Sequence, residues 1–127
     1  MRAALKYDFC EFSIFNNFII AVINEGITVM PEHNEVLLKL AKKYFKNRPF
    51  AYITNRIHSY AVDPKVYLET SKIENLVAFA VVSQQKLSTS NTQVEKMFLN
   101  KPYKNFEHLL EAIHWSESII ATSSIKK

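Results

Sequence analysis

Glycine is nearly missing. The chain of 127 residues holds one, Gly26, so neither G-x-G-x-x-G nor G-x-x-x-x-G-K-[ST] can be written anywhere, which argues against nucleotide binding through a glycine phosphate cradle. Cysteine is equally scarce. Cys10 alone rules out an intramolecular disulfide, and a lone thiol fits a reducing compartment. Its place in an apolar strand-like run reads as a small buried hydrophobe rather than a nucleophile. The four histidines, His33, His58, His108 and His114, show no H-x-H or H-E-x-x-H spacing, so no metal site and no cofactor is expected. Long hydrophobic runs are absent too. Stretches such as Phe18–Ile23 are far too short to span a bilayer. The start "MRAALKYDFCEF" lacks the apolar core and small-residue cleavage site of a signal peptide. A cytoplasmic protein is therefore expected.

What is present describes a packed domain. Apolar residues make up 48% and aromatics 13%, against 22% charged, a balance that excludes a disordered chain. The length fits one domain with one real core, over residues 1–120, with "TSSIKK" in residues 121–127 as a frayed tail. A net charge of +4 permits an anionic partner without requiring one.

The first third reads as strands, "ALKYDF", "CEFSIF" and "FIIAVI", with Asn16-Asn17 between the last two, where Asn tolerates the positive φ of a tight hairpin. Residues 31–45 read as a helix, with Val36, Leu37, Leu40, Ala41, Tyr44 and Phe45 on its apolar face. "PFAYI" follows as a strand. Asp63-Pro64 supplies an N-cap acceptor and a proline at the first helical position, for a short helix to about residue 72. "LVAFAVV" (76–82) has the continuous apolar character of a strand covered on both faces. Ser90 and Gln93 form a capping box for a helix burying Val94, Met97 and Phe98. A weak strand near residues 102–104 leads to a last helix over residues 105–120. Strands alternating with helices predict an α/β domain, an antiparallel N-terminal hairpin leading into a mostly parallel sheet with four helices.

That order of elements resembles the STAS superfamily, typified by the sporulation anti-sigma-factor antagonist, and is most similar to short bacterial STAS/SEC14-like proteins. "NNFIIAVINEG" (16–26), "FAYITNRIHSYAVDPKVY" (50–67) and "LVAFAVVS" (76–83) carry the resemblance. It implies a regulatory interaction module, with lipid or small-ligand binding suggested for some relatives. The antagonists place a phosphorylatable serine in an Asp-Ser-Ser-Gly stretch at a helix start. Here "TNRIHSYAVDP" has neither the glycine nor the Asp-Ser pair, and the nearest candidate, Ser59, precedes the cap by four residues. The resemblance thus carries the fold rather than partner switching by phosphorylation.

In an open parallel sheet, ligands bind beyond the carboxyl ends of the strands. Three stretches share that edge in this reading: Asn24-Glu25-Gly26, the run Asn55, Arg56, His58, Ser59 and Tyr60, and Ser83 with Lys86. Helix N-termini pointing there favour an anion, and Arg56 suits a carboxylate or phosphate bidentately. The bland alternative gives the same residues internal duties, with Arg56 paired to Glu25 and Tyr60 packed under its loop.

A hydrolase using His58 and Ser59 is a further alternative. Neighbours on an extended segment point opposite ways, and nothing in the spacing sets Glu25 or Asp63 against His58. The basic run Lys39, Lys42, Lys43, Lys46 and Arg48 completes a helix opened by Glu32 and Glu35, as the helix dipole favours. The lysines fall at the opposite edge, so no nucleic-acid partner is expected. On the last helix Phe106, Leu109, Leu110, Ile113 and Ile120 make one apolar face, and His108, Ala112, Trp115 and Ile119 a second stripe. That stripe predicts either packing within the chain or a contact with a partner or a second copy, a homodimer. The expected function is a non-catalytic module binding a protein or a small anionic ligand at the carboxyl edge, with a small-ligand or lipid carrier as the alternative.

Overall fold

The computed structural model describes residues 1–58, 60–84 and 99–125. Its strands are β1 (Ala3–Lys6), β2 (Cys10–Ile14), β3 (Phe18–Ile23), β4 (Thr28–Val29), β5 (Phe50–Asn55), β6 (Ala61–Val62), β7 (Leu76–Val82) and β8 (Tyr103–Phe106). The helices among the described residues are α1 (Pro31–Tyr44), α2 (Lys65–Ser71) and α3 (Leu109–Ile125). The helix expected from Ser90, with Val94, Met97 and Phe98, lies outside the described residues, as do Ser59 and Lys86.

A six-stranded mixed sheet runs in the order β1-β2-β3-β5-β7-β8. The first three strands form an antiparallel meander, and β3, β5, β7 and β8 are parallel. The α/β class and the antiparallel lead-in are therefore as the sequence predicts. Strict two-residue alternation divides the sheet into two faces. Cys10, Phe12, Ile14, Ile19, Ala21, Ile23, Tyr52, Phe79 and Val81 lie in one cluster, with Leu37, Leu40 and Ala41 of α1 and Val66 and Tyr67 of α2. Phe18, Ile20, Ala51, Ile53, Ala78, Ala80 and Val82 lie in the other, with Ala112 and Ile120 of α3. Both crossovers thus place their helices on one face, as right-handed connections advancing in one direction require. The fully buried rings of Phe45 and Phe50 stack 4.7 Å apart at 13° and close the amino-terminal end of the first face. Burying each ring is worth about 1.5–3 kcal/mol.

Three details depart from the sequence reading. The Asn16-Asn17 turn closes through Phe15 N–H donating to Phe18 O at 2.9 Å, and neither asparagine has a positive φ. Tertiary contacts hold it instead. Asn17 O accepts from Ala51 N at 3.0 Å, Asn17 Nδ2 donates to Glu117 at 3.2 Å, and Arg48 donates to Asn16 O at 3.3 Å. The last helix begins at Leu109 rather than residue 105, because Tyr103–Phe106 pairs with Phe79–Val82 as a full edge strand. It continues to Ile125, past residue 120 where the sequence reading ends it. Finally, Leu110 is 62% exposed, whereas Ala112, Ser116 and Ile120 form the buried seam of α3. Small side chains at Ala112 and Ser116 match Ala51, Ala78 and Ala80 beneath, so the close approach sets the helix phase rather than the larger residues.

The basic end of α1 lies at the amino edge of the parallel strands, as its direction demands. There Arg2 donates to Tyr44 O at 2.8 Å and Arg48 to the same carbonyl at 3.3 Å, satisfying a carbonyl that the helix end leaves open.

Candidate functional site: the carboxyl edge and the cavity beneath it

Strands β3, β5 and β7 end side by side, so Asn24, Asn55-Arg56 and Ser83 emerge at one edge. After β3 the chain turns through Asn24-Glu25-Gly26, with Ile27 N–H donating to Asn24 O at 3.4 Å and Gly26 at φ +77°. That φ is the one place where this fold uses glycine's freedom. The loops after β3 and β5 are then joined by a second, two-stranded parallel sheet, in which Thr28 and Val29 pair with Ala61 and Val62. Two-residue strands carry no periodicity, so no sequence pattern announces them. Asp63 caps α2 as expected, its Oδ1 accepting from Lys65 N at 3.0 Å.

The expected edge residues separate into distinct duties. Asn24 belongs to the scaffold: its Nδ2 donates to Asp8 O at 2.8 Å, and its N–H to Phe9 O at 2.9 Å. Ser83 is buried and joins β8 through its N–H to Phe106 O at 2.9 Å. Arg56 N–H bonds Val82 O at 2.7 Å. Its guanidinium donates to Tyr60 O at 3.0 Å and lies 4.4 Å from the centroid of the Tyr60 ring. Arg56 therefore does not pair with Glu25. Glu25 faces His58 instead, 3.9 Å from carboxylate oxygen to Nδ1, with both side chains substantially exposed. Sequence spacing could not place that pair, because it spans two loops. At this distance and exposure it is a weak surface contact. Asn55 is partly buried at the end of β5.

On the last helix, Trp115 and Ile119 pack partly buried against the second cluster, with the Trp115 ring 5.6 Å from that of Phe106. His108 is exposed and its carbonyl accepts from Ala112 N at 3.4 Å.

Directly beneath Arg56 and Tyr60 lies a partly enclosed cavity of about 50 Å³, between the first face of the sheet and helices α1 and α2. The partly exposed side chains of Phe9, His33, Arg56, Tyr60 and Val62 rim it, and buried residues including Phe12, Ile23, Leu37, Tyr52 and Phe79 form its floor. His33 is held in place twice. Its Nδ1 accepts from Met30 N at 2.8 Å, closing the start of α1, and its ring stacks 4.4 Å from that of Phe9. Tyr52 is enclosed deeply enough that burial, reinforced by Cys10, Tyr60 and Tyr67 nearby, pushes its ionisation well above the ordinary phenol value. Its hydroxyl stays a neutral donor.

Two polar groups sit deep in this wall. Asn34 is 5% exposed and its Oδ1 accepts from Thr70 Oγ1 at 2.8 Å. Asn34 Nδ2 has no partner among the described residues. Neither residue was among the sequence candidates. A signal existed: Asn34, Leu37 and Ala41 follow i, i+3, i+7, so Asn34 is a polar residue on the buried stripe of α1.

Among the described residues no group of three His, Cys, Asp or Glu could hold a metal ion. No helix there is long and apolar enough to cross a membrane. Comparisons with protein-family models, curated proteins and solved structures found no match to this chain.

Proposed function

We propose that this protein is a non-catalytic, cytoplasmic STAS-like binding module that takes a small anionic ligand at the carboxyl edge of its sheet, with Arg56 as the anchor. The observation that carries this reading is the cavity itself, an apolar recess with a guanidinium on its rim and no carboxylate among its lining residues. Recesses of mostly apolar lining with a few placed polar groups are what small-molecule sites look like. The antiparallel lead-in followed by parallel β-α units supports the STAS-like part. A cavity of about 50 Å³ is roughly a third of one that takes up benzene, so a lipid chain does not fit and the carrier reading is disfavoured. Hydrolysis is disfavoured because His58 is exposed and its contact with Glu25 is longer than a hydrogen bond.

A protein partner is the second reading. Ile57 favours it, an apolar side chain 65% exposed beside Arg56.

Native mass spectrometry of the purified protein, with and without Arg56→Ala, separates these. A small adduct in the wild type, lost in the variant at nearly unchanged melting temperature, is the expected result. A variant that melts far lower yet keeps its adduct would make Arg56 structural and sink the proposal. A bare monomer that captures a protein through Arg56 and Ile57 would replace it with the second reading.

A further inference from the structure

The orphaned amide of Asn34 narrows the ligand class. A side-chain NH₂ that is 95% buried without an acceptor carries the full desolvation penalty of a donor. α1 is not short of alternatives at this position, since an apolar residue would continue the stripe of Leu37, Leu40 and Ala41. The unfilled group borders the cavity, and the groups around it are donors: the Asn34 amide, the Tyr52 hydroxyl and the Arg56 guanidinium, with no Asp or Glu in the lining. Asn34 also lies in the first turn of a 14-residue helix, where the backbone dipole favours negative charge. The remaining wall, Phe12, Ile23, Leu37 and Phe79, offers an apolar body only van der Waals contact. A volume of about 50 Å³ admits roughly three or four water-sized groups.

We propose that the cavity between α1, α2 and the sheet binds a short-chain monocarboxylate, whose carboxylate oxygen accepts from Asn34 Nδ2 and whose apolar chain lies against Phe12, Leu37 and Phe79. This rests on the small-anion reading of the edge and assigns its ligand an interior seat. Thr70 orients the acceptor of the amide, through its hydroxyl, so that the NH₂ turns towards the ligand. Arg56, on the rim, supplies the compensating charge without which a carboxylate would not leave water.

The test is a nuclear magnetic resonance titration that follows the side-chain ¹⁵NH₂ pair of Asn34, identified by its loss in Asn34→Asp. Propionate and butyrate are the ligands, and propylammonium, with the same chain and no acceptor, is the control. The acids should shift the Asn34 pair in saturable fashion and propylammonium should not. Asn34→Asp, which still accepts from Thr70 but sets a carboxylate against the ligand, should weaken propionate binding about tenfold or more while the backbone spectrum stays folded. An Asn34 pair that exchanges magnetisation with water but ignores both acids would show a hydrated cavity only and overturn the proposal. Equal shifts with propylammonium would overturn it as well. Propionate binding that is lost in Arg56→Ala yet leaves the Asn34 pair unmoved would keep the edge as an anion site and refute its interior seat.

Discussion

The guanidinium of Arg56 and the ring of Tyr60 clamp each other at the mouth of the cavity. The Arg56 Cζ lies 4.4 Å from the ring centroid while Nη2 donates to the Tyr60 carbonyl at 3.0 Å. The stacking is worth about 0.5–1 kcal/mol at a partly exposed site, but its larger effect is to fix the direction of a long side chain. Tyr60→Ala should therefore leave stability within about 1 kcal/mol and weaken anion binding about tenfold, whereas Tyr60→Phe should preserve both. Urea denaturation and a propionate titration on the same samples check this. Unchanged binding in Tyr60→Ala would show that the ring does not position Arg56.

Gly26 and Lys46 adopt similar left-handed backbones, at φ +77° and +55°, with opposite side-chain suitability. A Cβ at Gly26 meets nothing within 4 Å, so Gly26→Ala should cost only the backbone term, roughly 1 kcal/mol. Lys46 closes α1, its N–H donating to Ala41 O at 3.0 Å, where glycine is the favoured residue. Lys46→Gly should raise stability by roughly 1 kcal/mol. Denaturant midpoints at constant slope measure both, and two changes of the same sign would contradict the account.

Ser116 is fully buried on α3, and its hydroxyl has no partner among the described residues. Ser116→Ala keeps the close approach to the sheet, removes an orphaned polar group and improves helix propensity. A gain of about 1 kcal/mol is expected. Ser118→Ala is the control, since that exposed hydroxyl donates to Trp115 O at 2.7 Å and its loss should fall within about 0.5 kcal/mol of neutral. A clear loss of stability in Ser116→Ala would point to an unseen acceptor.

Burial pushes the Cys10 thiol from 9.0 up to about 12, with Glu11 adding to the rise and a Val22 backbone hydrogen bond opposing it. Burial raises Tyr52 from 10.0 in the same direction. Both groups are held neutral in the fold and ionise more readily in the unfolded chain. Their contribution to stability is therefore complete below pH 9.0 and is lost as pH rises towards about 12. The melting temperature should fall steadily across that window, and Cys10→Ala should flatten the first part of the fall. In the folded protein the thiol should resist alkylation near neutral pH. Rapid modification of native protein would refute the burial argument.

The sheet was legible because its strands alternate without interruption. "FIIAVI" and "LVAFAVV" each send one set of side chains to α1 and α2 and the other to α3. The phase of α3 was not legible, because Leu109, Leu110 and Ile113 outweigh Ala112 and Ser116 in any hydrophobic count, while packing distance favours the small pair. Arg56 and Tyr60 could be placed at the edge, since both follow directly from the end of β5. The cavity could not, since Asn34 and Thr70 meet across 36 positions of sequence and each alone reads as an ordinary helix residue. Glu25 and His58 meet for a similar reason, through the turn at Gly26 and the pairing of β4 with β6.

That small pairing has a mechanical meaning. Ala61 N–H bonds Ile27 O and Asp63 N–H bonds Val29 O, each at 2.9 Å, so the loop carrying Glu25 and the loop carrying Arg56 are laced into one flap hinged on two strands of the main sheet. Neither loop can lift without the other. Opening of the recess is then a single event, and the amide protons of Ala61 and Asp63 should exchange with solvent at one common rate, slowed together when a ligand holds the flap down.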